Sequence, residues 1–309
     1  MEKMPKRKKA KGKGNLTFFA VLLAAAALVS HFTGVFTLSD LKEVIGVSTS
    51  NIAEGEVQVH YIDVGQGDSE LILSNGHAVL IDTGEKEEGE KVFSYLKQEG
   101  VKTLDCLILT HPHSDHMGAA SYIVDNVDIK KVVIPKLPDD KVPATKVYEN
   151  FLKSVKNKNL KLTAAEPGLK IDIGEAELEI ISPVSDDYKN LNDFSAAAIL
   201  RHGGNKFIFT GDNEKNAEKD ILEAGYLERI DVLKVGHHGS KSSSCKEFLE
   251  AVKPEYAVIS CGEGNKYGHP DEEAVKRIKK YTDKIYRTDI DGTVIMISTK
   301  DGIKPETEN

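Results

Sequence analysis

Residues 110–116 read Thr110-His111-Pro112-His113-Ser114-Asp115-His116 and directly follow the apolar run Leu104-Asp105-Cys106-Leu107-Ile108-Leu109. The end of a predicted strand thus carries three histidines and an aspartate. Imidazole and carboxylate groups bind zinc and similar divalent ions, and side chains two residues apart on an extended loop face the same side. We predict that His111 and His113 bind one ion and that Asp115 and His116 reach a second. Two ions about 3.5–4 Å apart would form a hydrolytic site.

Two further stretches, one before and one after the histidine cluster, contain an apolar run that ends in an aspartate. In Ile81-Asp82-Thr83-Gly84, we expect Asp82 to hydrogen-bond a metal-binding imidazole and fix its tautomer, and the alternative is an aspartate that only shapes a turn. In Phe207-Ile208-Phe209-Thr210-Gly211-Asp212, the carboxylate has two oxygens. Asp212 is therefore the predicted bridge between the two ions.

Paired histidines end another predicted strand, in Asp231-Val232-Leu233-Lys234-Val235-Gly236-His237-His238-Gly239-Ser240. Neighbouring side chains on an extended segment point in opposite directions, so one of the pair should bind metal. We assign His238 to the metal and His237 to the substrate or its developing oxyanion. The sequence leaves the reverse assignment open.

The residues around the paired histidines suit a phosphate group. Ser240 and Lys241 would supply a hydroxyl and a cation, and Lys241 is the predicted contact of the scissile phosphate. The alternative is that these serines only cap a helix. His269, before Pro270, would protonate a leaving oxygen or orient its loop, and Asp115 would orient the nucleophile as well as bind metal.

These motifs together resemble the metallo-β-lactamase superfamily and, more narrowly, the extracellular metallohydrolase domain of ComEC competence proteins. The resemblance runs from about Val57 to Ser298 and also includes Tyr61-Ile62-Asp63-Val64-Gly65-Gln66-Gly67-Asp68-Ser69 and Tyr267-Gly268-His269-Pro270. It implies an α/β fold, namely a four-layer αββα sandwich, and a metal-dependent hydrolase. For the ComEC branch it implies a nuclease that acts on DNA outside the membrane.

One interval departs from the superfamily pattern. Many members carry another histidine ligand between the histidine cluster and the bridging aspartate, whereas this chain has Leu191-Asn192-Asp193-Phe194-Ser195 there. We expect Asp193 or Asn192 to replace it as an oxygen ligand, or water to do so. His202, next to Gly203-Gly204, is interpreted as a turn histidine. Zn²⁺ is the favoured ion, and the oxygen-rich ligand set makes Mn²⁺ the alternative.

The N-terminal segment differs in composition from the rest of the chain. Residues 1–15 are a basic flank, and residues 16–38 contain no Asp, Glu, Lys or Arg. As a helix, residues 16–38 would cover about 34 Å, enough to cross a hydrocarbon core of about 30 Å. We expect a single-pass anchor with the flank in the cytoplasm and the remainder outside. A signal peptide that is cleaved to release a secreted protein is the alternative.

The remaining sequence divides into a linker at 39–56, a hydrolase domain at 57–299 and a polar tail at 300–309. Predicted strands near 57–63, 69–74, 77–82 and 104–109 alternate with predicted helices near 86–99, 143–157, 214–224, 244–252 and 271–281. Further strands are predicted near 284–287 and 293–297. The three cysteines show no metal-ligand spacing and cannot form a disulfide framework, and Cys106 is a predicted core residue.

Charge bears on the substrate. The net charge of the chain is −8, and it becomes −14 once residues 1–13, with seven basic groups and one acid, are set aside. An acidic body repels polyanions, yet residues 130–161 contain nine lysines against three acids. That segment would hold a phosphate backbone if it lines the site, and it is otherwise a solvated helix face.

The sequence thus predicts a membrane-anchored, extracytoplasmic hydrolase, a phosphodiesterase that acts on DNA. The alternatives are an esterase for phosphorylcholine or teichoic acid at the cell wall, a lactone or thioester hydrolase, and a non-catalytic, metal-dependent surface binding protein. ComEC proteins also carry a many-helix channel region, and this sequence contains one candidate span. A role in DNA import would therefore require a separate channel partner in the membrane.

Overall fold

Two β-sheets face each other in the part of the chain that the computed structural model describes, residues 52–309. The predicted basic flank, the anchor at 16–38 and residues 39–51 of the linker lie outside the described residues. Within residues 52–309, no helix combines the length and the apolar composition needed to span a bilayer. Of the described residues, 52–97 and 101–309 form one compact unit.

The first sheet has eight strands. In spatial order they are β17 (Gly302–Thr307), β16 (Val294–Thr299), β1 (Val57–Tyr61), β2 (Glu70–Ser74), β3 (His77–Ile81), β5 (Cys106–Ile108), β7 (Val132–Ile134) and β8 (Leu162–Ala164). Pairing is antiparallel from β17 to β3 and parallel from β3 to β8. Parallel pairing requires crossover connections, and helices lie in these connections.

The second sheet has seven strands. In spatial order they are β15 (Ile285–Arg287), β14 (Tyr256–Ile259), β13 (Val232–Lys234), β12 (Asn205–Phe209), β11 (Ala198–His202), β10 (Ala176–Ile180) and β9 (Lys170–Ile173). The strands from β12 to β15 are parallel, and those from β9 to β12 are antiparallel. A separate two-stranded ribbon pairs β4 (Thr103–Leu104) with β6 (Asp128–Ile129).

Helices cover the outer face of each sheet. They are α1 (Gly89–Gln98), α2 (Ser114–Met117), α3 (Ala120–Asn126), α4 (Lys146–Asn157), α5 (Lys215–Glu223), α6 (Lys246–Val252), α7 (Glu272–Ile278) and α8 (Thr288–Asp291). Short 3-10 turns occupy Lys86–Glu88, Asp139–Lys141, Asn192–Phe194 and Gly236–Gly239.

Three buried clusters show how the layers stack. Alternate residues of strands from both sheets, such as Val59 and Leu178, meet in the cluster between the sheets. The other face of the first sheet packs on α1, α3 and α4, and Phe151 is central to that contact. The other face of the second sheet packs on α5, α6 and α7, through residues such as Phe248. The order of layers is therefore helix, sheet, sheet, helix, as predicted.

Two details differ from the sequence interpretation or refine it. Residues 300–309, predicted as a polar tail, contain β17, which extends the first sheet because its backbone pairs with β16 from Val294 to Thr299. His202 ends β11 beside the predicted Gly203-Gly204 turn, and its Nδ1 lies 2.8 Å from the Ser298 hydroxyl of the first sheet. It therefore joins the two sheets at a point away from the histidine loop.

The carboxyl ends of four strands lie at one edge of the sandwich. Two of them, β3 and β5, belong to the first sheet, and β12 and β13 belong to the second. Asp82 follows β3, the histidine loop follows β5, Asp212 follows β12, and the paired histidines follow β13. Backbone hydrogen bonds tie these loops together, including Ala196 N to Thr110 O at 2.9 Å and His237 N to Gly211 O at 3.0 Å. This edge positions the candidate site.

Candidate metal centre

The histidine loop supplies most of the converging side chains. It leaves β5, runs extended through His113, and enters the short helix α2 at Ser114. His111 Nε2 lies 2.9 Å from His113 Nδ1 and 3.6 Å from Asp212 Oδ2. His111, His113 and Asp212 thus form one group with the donor chemistry and spacing of a metal site.

A second group shares Asp212 with the first. It comprises Asp115, His116, Asp212 and His238. His116 Nε2 lies 3.2 Å from Asp212 Oδ1, and His238 Nε2 lies 3.3 Å from Asp115 Oδ2 and 3.6 Å from Asp212 Oδ1. Because Asp212 gives one oxygen to each group, it occupies the bridging position that the sequence predicts.

These groups fit divalent ions by two criteria. Ligand atoms about 2.1 Å from a tetrahedral ion lie about 3.4 Å from each other, which matches the spacings above. In addition, His116 Nε2, His238 Nε2 and Asp212 Oδ1 are buried and make no hydrogen bond within the described residues. Buried polar atoms without partners are costly, so convergence of three of them indicates a ligand that satisfies them.

Asp82 orients one of the candidate ligands. Its Oδ2 lies 2.7 Å from His116 Nδ1, which leaves His116 Nε2 directed to Asp212. Thr110 holds the same carboxylate through its backbone N–H at 2.7 Å and its hydroxyl at 2.6 Å. A metal-binding histidine commonly has such a carboxylate on its other nitrogen, which fixes the ring and its tautomer. This is the role predicted for Asp82.

A buried ion pair beside His238 was not predicted from the sequence. Lys234 Nζ donates to Asp68 Oδ2 at 2.7 Å, and both side chains are 1% exposed. Asp68 Oδ1 lies 3.2 Å from His238 Nδ1, which also contacts the backbone carbonyl of Ser260 at 3.0 Å. Since Lys234 lies on the second sheet and Asp68 precedes β2 of the first, the pair joins the sheets and orients His238.

Electrostatics in this cluster favour charged carboxylates despite burial. Burial opposes ionisation of Asp68, but Lys234, His238 and His116 outweigh it and lower its pKa to about 2. Burial likewise opposes ionisation of Asp212, and the surrounding histidines hold its pKa well below its usual range. By contrast, burial and the nearby Asp68 raise the pKa of Glu70 well above normal. Anionic Asp68 and Asp212 therefore face the ligand positions.

Gly67 explains how Asp68 comes so near the histidine loop. Its φ is +149°, and a Cβ at this position would lie 2.4 Å from the Asp115 carbonyl oxygen. Only glycine allows that approach of the two backbones. The adjacent Asp68 N–H then donates to Asp115 O at 3.1 Å.

His237 points into the solvent-facing part of the site. Both it and His238 have positive φ, 49° and 54°, which turns the two rings in different directions. His237 Nδ1 lies 3.3 Å from Glu214 Oε1, whereas its Nε2 lies 3.7 Å from Asp212 Oδ2. The structure therefore places His238 among the ligand groups and His237 at their edge, as the sequence assignment has it.

A polar hollow of about 310 Å³ lies over both groups. Its lining includes His113, Asp115, Asp212, His237 and His269. The His269 ring lies 5.6 Å from the His237 ring, and its Nδ1 is buried without a hydrogen-bond partner among residues 52–309. Substrate entering this hollow would meet the candidate metal ligands at its base.

Three predicted residues lie elsewhere. Asp193, expected as an oxygen ligand, instead accepts hydrogen bonds from Glu214 N at 3.0 Å and Ala217 N at 3.4 Å, so it caps the start of α5. Lys241 is exposed and lines a neighbouring hollow, and its contact with the scissile phosphate stays a prediction. Ser240 is buried, and its hydroxyl contacts Ser242 Oγ at 3.0 Å.

Asn192 is closer to the candidate centre than Asp193. Its Nδ2 lies 3.2 Å from Glu214 Oε1, and its Oδ1 is buried without a hydrogen-bond partner. It also lines the polar hollow. The sequence pattern predicts Asp193 or Asn192 as the oxygen ligand, and both lie in the 3-10 turn at Asn192–Phe194.

Comparison with known proteins agrees with this geometry. A family model described as the metallo-beta-lactamase superfamily matches residues 62–263. The chain belongs to the metallo-β-lactamase superfamily. Within that superfamily it is similar to ComE operon protein 3 of Bacillus subtilis, at 34% identity over 78% of this chain and 33% of the relative. It is also similar to competence protein ComA of Neisseria gonorrhoeae, at 30% identity over 82% of this chain and 34% of the relative.

The relatives and the fold together identify the class of protein to which this chain belongs. This chain spans about a third of the length of these two curated relatives. The fold is similar to that of a solved metallo-hydrolase, Igni18 from Ignicoccus hospitalis, with a TM-score of 0.51 at 17% identity over 77% of this chain and 98% of the Igni18 chain. The chain is a metallo-β-lactamase-fold hydrolase of ComEC-like type with a candidate centre for divalent ions.

Proposed function

We propose that this chain is a membrane-anchored, extracytoplasmic phosphodiesterase that cleaves DNA. The observation that carries the proposal is the pair of ligand groups that share Asp212 at the base of an open, polar hollow. Divalent ions bound there would lower the pKa of water and offset charge on phosphoryl oxygens. Zn²⁺ and Mn²⁺ both suit this mixed set of imidazoles and carboxylates.

The chain's own residues would position the substrate. Glu214 holds His237 Nδ1, so that Nε2 faces the hollow and can donate to a non-bridging phosphate oxygen. Asp115 lies at the edge of the second group, 18% exposed, where its carboxylate can orient the attacking water. His269 faces the same hollow and would pass a proton to the leaving oxygen.

The N-terminal sequence supports a proposed location and a proposed partner. Residues 16–38 would anchor the chain in the membrane with the hydrolase domain outside, where extracellular DNA is accessible. A separate channel protein in the membrane would be the partner if cleavage serves DNA import. The name of the relative ComA, a competence protein, supports this context.

The proposal is tested on the full chain loaded with Zn²⁺ or Mn²⁺. Substrates are bis(p-nitrophenyl) phosphate, linear single-stranded DNA, linear duplex, closed circles and a choline-bearing wall polymer. We expect metal-dependent release of p-nitrophenol and cleavage of DNA, with linear and circular forms separating exonuclease from endonuclease action. A protein that holds its ions and cleaves none of the phosphodiesters would refute the proposal, and cleavage of the wall polymer alone would assign the esterase function.

A further inference from the structure

A second hollow, of about 490 Å³, adjoins the hollow over the candidate metal centre. Glu214 and Ser242 line the second hollow, and both contact His237 Nδ1, at 3.3 and 3.4 Å. His237 in turn lines the first hollow. The side chains of His237, Glu214 and Ser242 therefore lie between the two spaces, which places the second hollow next to the candidate metal centre.

The second hollow is rich in cations. Lys215, Lys241, Lys246 and Arg277 line it, against Glu214 and Glu247. Lys215 and Lys241 are exposed, and neither takes part in an ion pair among the described residues. This local excess of positive charge contrasts with the net charge of −8 of the whole chain. Cations that no carboxylate neutralises are available to a polyanion.

Arg277 holds the backbone along one side of the second hollow. Its Nε donates to Ser244 O at 2.7 Å, and its Nη2 donates to Ser243 O at 2.8 Å and Lys241 O at 3.2 Å. The guanidinium therefore holds the backbone of the segment that carries Lys241. Because this segment continues directly from the paired histidines, the position of Lys241 is fixed relative to the candidate centre.

Tyr267 bears on the kind of polyanion. It lines the first hollow, is 54% exposed, and stacks on His269 with ring centroids 6.0 Å apart. Exposed aromatic rings beside a cationic groove are typical of proteins that bind single-stranded nucleic acid, since bases stack on such rings. A glycerol phosphate polymer, which carries neither bases nor choline, would leave this ring unused.

We propose that the second hollow binds the phosphate next to the scissile phosphate of a nucleic-acid strand, through Lys215 and Lys241. The inference rests on the proposed phosphodiesterase function and adds to it a binding site for a phosphate beyond the scissile one. It also gives Lys241 a revised role, as a contact of a flanking phosphate. Phosphate contacts by surface lysines would position the strand without reading its sequence.

The test compares substrates of different length on the full, metal-loaded chain. The ratio of kcat/KM for a single-stranded 12-mer to that for bis(p-nitrophenyl) phosphate isolates contacts beyond the scissile group. In the double variant Lys215→Gln/Lys241→Gln we expect this ratio to fall about tenfold, and its dependence on salt to become shallower. Lys219→Gln is the matched control, because Lys219 lies on the same helix, pairs with Glu223 at 3.4 Å and does not line the hollow.

The outcomes separate this inference from the function on which it rests. Absence of bis(p-nitrophenyl) phosphate turnover in the metal-loaded wild type would refute the proposed function itself. Normal turnover with an unchanged ratio in the double variant would overturn the inference alone. An oligomer of glycerol phosphate that shows the same length dependence, together with no effect of Tyr267→Ala on the 12-mer, would assign the hollow to a base-free polymer and also overturn it.

Discussion

Asp212 is the residue on which both ligand groups depend. Its two oxygens lie 3.6 Å from His111 Nε2 and 3.2 Å from His116 Nε2, in a position 2% exposed. An amide at this position keeps the volume of the side chain but removes the negative charge and one acceptor oxygen. Asp212 is the residue that these two described ligand groups share, so the substitution removes the carboxylate that joins them.

We therefore predict that Asp212→Asn lowers phosphodiesterase activity about 100-fold or more while the circular dichroism spectrum stays native. Asp193→Asn is the control, because Asp193 caps α5 through Oδ1, and an asparagine can accept the same hydrogen bonds. Steady-state rates on bis(p-nitrophenyl) phosphate provide the measurement. Full activity of Asp212→Asn, or an equal loss in Asp193→Asn, would contradict the assignment.

A second prediction concerns the buried ion pair of Lys234 and Asp68. Removing one partner of a buried ion pair leaves the other charged and desolvated, which typically costs about 3–5 kcal/mol. We expect Lys234→Met to lower the free energy of unfolding in urea by about that amount. Lys246→Met, which breaks an exposed pair with Glu250, should change it by about 0.5 kcal/mol or less.

A double variant keeps this prediction testable if Lys234→Met does not fold. Asp68→Asn/Lys234→Met removes both charges, so it should recover part of the lost stability. A single Lys234→Met variant as stable as the wild type would show that the pair contributes nothing. A double variant no more stable than the single one would show that the loss does not come from the unpaired charge of Asp68.

Several site residues could be predicted from the sequence for a shared physical reason. Asp82, His111, Asp212 and His238 each follow an apolar run, and such runs form strands whose carboxyl ends lie at one edge. Asp68 and Lys234 are 166 residues apart and pair across two sheets, so no local pattern reports their contact. The signal that was available is Lys234 itself, since a lysine inside an apolar strand requires a buried partner.

At the scale of elements, α5 and α6 are joined by a buried carboxylate. Glu218 on α5 is 1% exposed and accepts hydrogen bonds from the backbone N–H groups of Ser244 and of Cys245, at 2.8 Å for the latter. These donors lie at the start of α6. Burial raises the pKa of Glu218 to about 7, although the same N–H groups and Arg277 oppose that shift.

The raised pKa implies a pH dependence with a definite sign. Between pH 4.5, the ordinary value for Glu, and about 7, the folded state keeps a proton that the unfolded state has released, so rising pH favours unfolding. Relative to Glu218→Gln, the wild type should lose on the order of 3 kcal/mol of unfolding free energy across this range. Urea unfolding at steps of pH measures the difference. A difference that stays constant, or grows in favour of the wild type as pH rises, would contradict the prediction.

Element boundaries show where sequence patterns succeed and where they stop. The predicted strand at 57–63 and the predicted helix at 143–157 correspond to β1 and α4, because their apolar residues have the periodicity of a strand and of a helix. β17 was taken for a polar tail because an edge strand buries little side-chain area and is held mainly by backbone pairing. Asp193 was misplaced because the direction of a side chain leaving a 3-10 turn depends on that turn's geometry.

At the scale of the whole molecule, the two sheets hold the candidate ligands from opposite sides. His111, His113, Asp115 and His116 come from the first sheet, and Asp212 and His238 come from the second. The packed core between the sheets keeps these groups at coordination distance without a large entropic cost on binding. The alternation of strands and helices made this architecture predictable, whereas the exact spacing depends on how the sheets pack.

We expect two divalent ions, bridged by Asp212, at the edge of the sandwich that carries the candidate ligands. Equilibrium dialysis of the full chain against Zn²⁺ or Mn²⁺, followed by elemental analysis, counts the bound ions directly. We predict two ions for each wild-type chain and one after His111→Ala, since that change removes a ligand of only one group. A wild-type protein that is folded and retains no divalent ion above the buffer level would contradict the account.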